Sequence, residues 1–255
     1  MRPTIYSLCM ILALAGRAQE LPGRDYLLRY SCVFNEQFDR ERQDRYFNAE
    51  LRLNDESSYF FITPDDGKPL PERDPNAVYF NYDTLLRVAK WRGSGQLVFG
   101  DPTFKGREEF FRDSLFPMKW ELKDEYREID SLQCAKAVTL FKGREYVCWY
   151  CPEIPVPEGP WKLGGLPGLI IEAYDTGDNL HFKLRSMSPS PPSVLPVHIL
   201  ASKAGELPDY EAYRASWKGI ARKMEASMGI AESSGCVSCQ TRSKIKFYLW
   251  EKVLD

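Results

Sequence analysis

Imidazole is scarce in this chain: His181 and His198 are the two histidines among 255 residues. Acid–base chemistry therefore has little to draw on. No excess of positive charge exists either, since 34 Lys and Arg face 36 Asp and Glu. The two signs alternate, as at 39–45 and 119–127, so there is no basic patch and nucleic acid is excluded as a partner. Beyond residue 15 no stretch approaches the roughly twenty apolar residues of a transmembrane helix, which excludes a membrane span in the mature chain. The glycines at 164, 165 and 168 lack an adjacent Lys-Ser/Thr, so they do not form a phosphate loop. There is no internal repeat and no low-complexity linker.

The first residues carry an export pattern. Arg2 is a short positive start, residues 5–15 are apolar, and Gly16 and Ala18 are the small residues before Gln19. Residues 1–18 are thus expected to be a cleaved signal peptide, with 19–255 a single β-rich domain in the periplasm. No cysteine follows Leu-Ala-Gly at 14–16, so a lipid-attachment site is not expected. Without Arg2 and Arg17, 32 basic residues face 36 acidic ones, a net charge of −4.

Alternation of apolar and polar residues predicts strands over 26–34, 46–53, 59–63, 95–99, 120–126, 134–141, 144–151, 169–174 and 180–184. Helical spacing of Tyr213, Trp217, Ile220, Ala221, Met224 and Met228 predicts a helix over 209–228, with Gly229 placed to end it. A short helix is also expected over 82–90, a proline-rich loop over 187–196, and a closing strand over 244–250. The expected fold is α+β, mainly β: a curved antiparallel sheet, a half-barrel-like meander, with the C-terminal helix packed on it.

Six cysteines remain after residue 18, namely Cys32, Cys134, Cys148, Cys151, Cys236 and Cys239. An even number in an exported chain favours disulfides. If Lys142-Gly143 is a two-residue hairpin loop, Cys134 falls opposite Cys151 at a non-hydrogen-bonded position and the two can be bridged. A three-residue loop would instead set Tyr150 opposite Cys134. The Cys-x-x-Cys pairs, 148/151 and 236/239, leave a thiol or zinc role as the alternative. However, residues three apart on a strand point to opposite faces. In the hairpin at 175–178, closure of Asp175 on Asp178 would set His181 opposite Glu172, half of a triad without a nucleophile.

Residues 159–170 read Gly-Pro-Trp-Lys-Leu-Gly-Gly-Leu-Pro-Gly-Leu-Ile. Pro167 and Gly168 suit a type II turn with positive φ at the glycine, and Leu169 and Ile170 then enter the core. No side chain from 164 to 171 exchanges a proton, so Gly165, Leu166, Pro167, Gly168, Leu169 and Ile170 are read as a structural corner.

Together with Cys134-Ala-Lys-Ala, Gly143-Arg, Trp149-Tyr, Glu153-Ile-Pro and Gly159-Pro-Trp-Lys, this segment resembles the GLPGLI family of bacterial exported proteins, known mainly from the Bacteroidota. The resemblance spans roughly residues 118–185. It implies an exported, mostly β protein of a family without an established activity. The expected role is non-enzymatic: binding or accessory work, on a concave face or exposed edge strand, for an outer-membrane protein or an apolar ligand. No catalytic residue, metal or cofactor is expected. The aromatics at 59–61, 79–82, 110, 111 and 149 exceed what one sheet face would bury, which motivates the binding role.

Overall fold

The computed structural model describes residues 25–38, 41–64, 86–101, 109–191, 200 and 203–233. The expected signal peptide, the aromatics at 79–82, His198, Cys236, Cys239 and the strand expected over 244–250 lie outside them. Eleven strands form: β1 Asp25–Phe38, β2 Glu41–Leu53, β3 Ser57–Pro64, β4 Arg87–Trp91, β5 Gln96–Asp101, β6 Glu109–Ser114, β7 Glu121–Ile129, β8 Leu132–Phe141, β9 Arg144–Cys151, β10 Leu169–Asp175 and β11 Leu180–Ser190. The α-helix α1, Tyr210–Ser233, follows them.

The expected α+β half-barrel meander is corrected by the topology. The fold is mainly β: one antiparallel sheet of order β6-β5-β4-β3-β2-β1-β11-β10-β9-β8-β7, which does not close. Two runs of neighbouring strands are joined where β1 pairs with β11, and that long-range pairing replaces a continuous meander. The strand expected at 180–184 runs on to Ser190, with Pro189 opposite Tyr26, so residues 187–190 of the expected loop belong to the strand, and 192–196 lie outside the described residues. Residues 87–91 form a strand rather than a helix end. Their central three residues are buried, and both neighbouring strands pair with them. The helix begins where Asp209 Oδ1 accepts from the Ala212 N–H and passes through Gly229 instead of ending before it. Tyr213 packs edge-on against Phe99 and Phe111, with ring centroids 5.0 and 5.1 Å apart, so α1 covers the β5–β6 end of the sheet.

One sheet face is the core. A continuous row crosses it from Ala137 to Cys148, Ala173, Phe182, Cys32 and Phe47, each opposite the next. The segment 152–168 between β9 and β10 packs on this face. Trp161 and Leu163 are fully buried there, and the Trp161 ring lies 5.7 Å from Phe141 and 6.0 Å from Tyr146. Two ionic anchors hold the segment down. The Lys90 ammonium on β4 donates to Glu158 Oε2 at 3.1 Å, Gly159 O at 3.0 Å and Leu163 O at 2.9 Å. Arg92 takes the other Glu158 oxygen at 2.9 Å. Burial lowers the Lys90 pKa, and Glu158 works against that shift. Lys162 reaches Asp113 on β6 at 3.3 Å, and Lys142 shares the same oxygen at 2.9 Å.

The Gly165-Leu-Pro-Gly-Leu-Ile stretch is a corner, but its glycines act differently from expectation. Positive φ falls on Gly164 and Gly165, not on Gly168. Phe116 lies over Gly165, and Trp120 Nε1 donates to Gly164 O at 2.9 Å. At Pro167 the chain turns within three residues, with the Gly168 N–H on Leu166 O at 2.8 Å. Gly168 is required by proximity, since a Cβ there would stand 2.2 Å from the Cys151 carbonyl oxygen. Leu166, Leu169 and Ile170 are buried beside it.

Two substitutions test this packing. Lys90→Met leaves a buried carboxylate short of one partner and two backbone carbonyls bare. It is expected to lower unfolding free energy by about 3–5 kcal/mol in urea titration. Gly168→Ala is expected to cost about 1–3 kcal/mol through overpacking, whereas Gly93→Ala, with open space around the added methyl, should leave the urea midpoint nearly unchanged.

Candidate functional site

The outer face of the sheet also carries aromatic and charged side chains. Tyr59 and Phe61 on β3 pack there with Ala89, Trp91 and Leu200. Trp149 on β9 lies under the Arg127 guanidinium, 4.3 Å from its ring centroid, with the Lys136 ammonium at 5.9 Å. The expected excess of aromatics over one face is thus divided between two faces, with Phe60 and Phe111 in the core.

Glu172 and His181 do meet on this face, though not in the expected register. β10 and β11 pair Glu172 with Lys183 and Tyr174 with His181, so the closing loop is longer than two residues. The cause is Asp175, whose Oδ1 accepts from the backbone N–H groups of Asn179 and Leu180 at 2.7 and 2.8 Å and holds four residues in the turn. His181 reaches Glu172 diagonally, with Nε2 and Oε1 2.7 Å apart, and its ring stands edge-on to Tyr174. Arg127 binds the other Glu172 oxygen. The His181 hydrogen bond and the Arg127 charge hold the Glu172 carboxyl below its usual range, against the burial that would raise it. Each imidazole and carboxylate partner is thereby engaged in a tie between β7, β10 and β11.

The expected two-residue loop at Lys142-Gly143 is present, with φ of 49° and 75° as a type I′ hairpin turn demands. Its closing pair is Phe141 and Arg144, and the β8–β9 ladder runs without a bulge to Ala135 and Tyr150. Cys134 and Cys151 are buried thiols at the far end of that ladder. Burial pushes the Cys134 thiol up to about 12 and raises Cys151 as well. Cys148 lies on the core face opposite Ala137, so it points away from Cys151.

The two sheet edges differ. At β6 the Arg112 N–H donates to Pro208 O at 2.9 Å, and Asp209 bridges alongside, so the chain itself occupies part of that edge. At β7, among the described residues, no strand lies beyond it. Only Ile129 of its nine residues is buried, and Leu122 and Tyr126 are 57% and 71% exposed. A register shift between Leu122 and Tyr126 leaves the middle of β7 out of the ladder with β8. Sequence alternation located this strand but gave no sign that it ends the sheet. A small open pocket of about 190 Å³ lies beside Tyr26, Asn54 and Arg92, and the Arg92 guanidinium there is already engaged by Asn54, Asp55 and Glu158.

Among the described residues, no helix is long and apolar enough to cross a membrane. No curated protein matches the chain. Among solved structures, two crystal forms of PNGF-II are similar at 14% and 15% identity, with TM-scores of 0.46 and 0.47, over 69% and 76% of this chain and 30% and 32% of theirs. The chain thus spans about a third of the length of those structures. A DUF1329 family protein from Desulfovibrio piger ATCC 29098 is similar at 10% identity and a TM-score of 0.31, over 72% of this chain and 92% of that one. Residues 140–172, from the β8–β9 hairpin through the covering segment into β10, match a family described as a protein of unknown function (Porph_ging).

Proposed function

We propose that this is an exported member of the GLPGLI family, periplasmic after loss of residues 1–18, and that it works without catalysis as a binding or accessory protein. Its binding surface is the β7 edge, which takes a strand from a protein partner at the outer membrane. The observation that carries this reading is the exposure of Leu122 and Tyr126 on an edge that no described strand covers. Charged residues along β7, among them Lys123, Asp124 and Glu125, guard such an edge against indiscriminate pairing. Guarding alone does not call for an exposed leucine and tyrosine.

The core face supports a protein partner over an apolar small ligand, because Trp161, Leu163 and Leu166 already fill it. Thiol chemistry finds little support in cysteines whose burial keeps them protonated, since the thiolate is the nucleophile. His181 serves Glu172 and Tyr174 rather than a hydroxyl or thiol.

Photo-cross-linking residues placed at positions 122, 126 and 46 in intact cells test the reading, Tyr46 being an exposed side chain on β2. One protein joined from 122 and 126 but not from 46 is expected. Equal labelling from all three positions, labelling from 46 alone, or no adduct at all would contradict it.

A further inference from the structure

The β8–β9 ladder keeps one register from Phe141 and Arg144 to Ala135 and Tyr150. One residue further, the same register sets Cys134 opposite Cys151. Positions alternate outward from the hydrogen-bonded closing pair, which makes this a non-hydrogen-bonded position. Cα atoms there stand about 4.5 Å apart, inside the roughly 4.4–6.8 Å that a disulfide spans. Both side chains are fully buried.

The remaining described cysteines have no such neighbour. Cys32 stands between Phe47 and Phe182, and Cys148 between Ala137 and Ala173, all on the core face. The register therefore selects one pair out of four thiols.

We propose that Cys134 and Cys151 are a cross-strand disulfide pair, joined when the chain folds in an oxidising compartment. The two S–H bonds break and one Sγ–Sγ bond forms. Two protons and two electrons leave, taken up by an oxidised dithiol partner, a protein disulfide or glutathione disulfide, which is reduced to two thiols. The bond forms before the thiols are buried and is shielded afterwards. Its place in the fold gives it consequence. Cys134 pairs with Arg127 of β7, and the Cys151 carbonyl is the group against which Gly168 packs. The bridge would fix both the strand that supports the β7 edge and the start of the covering segment.

The compartment named here rests on the export reading, so the test separates the two. Full-length protein refolded in a glutathione redox buffer, and protein recovered from cells, are alkylated and digested without reduction. Cleavage at Lys142 or Arg144 separates the two cysteines unless they are bonded. One linked peptide pair, two hydrogens lighter than its free parts, is expected from both samples, with fragmentation placing the link on Cys151 and the alkyl group on Cys148 of the same peptide. A drop in melting temperature on reduction is also expected, smaller in Cys134→Ala/Cys151→Ala. Alkylated Cys134 and Cys151 after oxidative refolding, or either one linked to another cysteine, would overturn the pairing. Linkage after refolding but alkylation in the cellular protein would overturn the export reading and leave the pairing standing.

Discussion

The Lys90 ammonium is the contact on which the core depends. An uncompensated buried ammonium costs several kcal/mol in lost hydration, so a lysine at a core position of β4 is tolerated only where acceptors surround it. Segment 152–168 supplies all three: the Glu158 carboxylate and the carbonyls of Gly159 and Leu163. The requirement runs in both directions. Without the segment Lys90 loses these three acceptors, and without Lys90 a loop rich in glycine and proline has the carbonyls of Gly159 and Leu163 left against an apolar sheet. This reciprocity explains how a loop, rather than a helix, is held on this part of the core face.

Function follows from what this closure leaves over. A sheet whose inner face is sealed by its own chain offers its edges and its outer face. On the outer face Arg127, Glu172 and His181 engage one another, and ties of that kind, partly exposed, stabilise by about 0–1 kcal/mol. At the β6 edge Pro208 and Asp209 occupy the backbone of Arg112. The β7 edge is left, and it combines a charged, guarded strand with two large exposed apolar side chains. The short family match ends within β10 and does not include β7, so the closure is the part shared with that family and the edge lies outside the match.

Most strands were legible from alternation, and the β8–β9 register was legible from two residues, because Lys142-Gly143 has few ways to close a hairpin. The β10–β11 register was not. Its loop length is set by the Asp175 carboxylate bonding two backbone amides, and nothing in the spacing of Glu172 and His181 reveals that. β4 was missed because a short strand whose three central residues are all buried, one of them a lysine, has no alternating pattern. The covering role of 152–168 was hidden for a related reason. Lys90 and Glu158 are 68 residues apart, and each alone reads as a surface charge. Glycine was read correctly as a corner residue but for the wrong cause at Gly168, where a neighbouring carbonyl, not φ, forbids a side chain. The mainly β content was legible, but the α+β label was drawn from α1, whose aromatic stripe is a strong signal and packs against the β5–β6 end of the sheet.

Amide hydrogen exchange on the folded protein tests the account most directly, by comparing residues 158–170 with β9, β10 and β7. Protection of the Gly165, Leu169 and Ile170 amides, which donate to Pro157, Ile154 and Glu158 carbonyls, should match that of the central strands, while β7 exchanges faster. Exchange of 158–170 at the rate of an exposed loop, ahead of β7, would mean that the core face is open. The claim that the chain seals its own sheet and presents an edge would then fail.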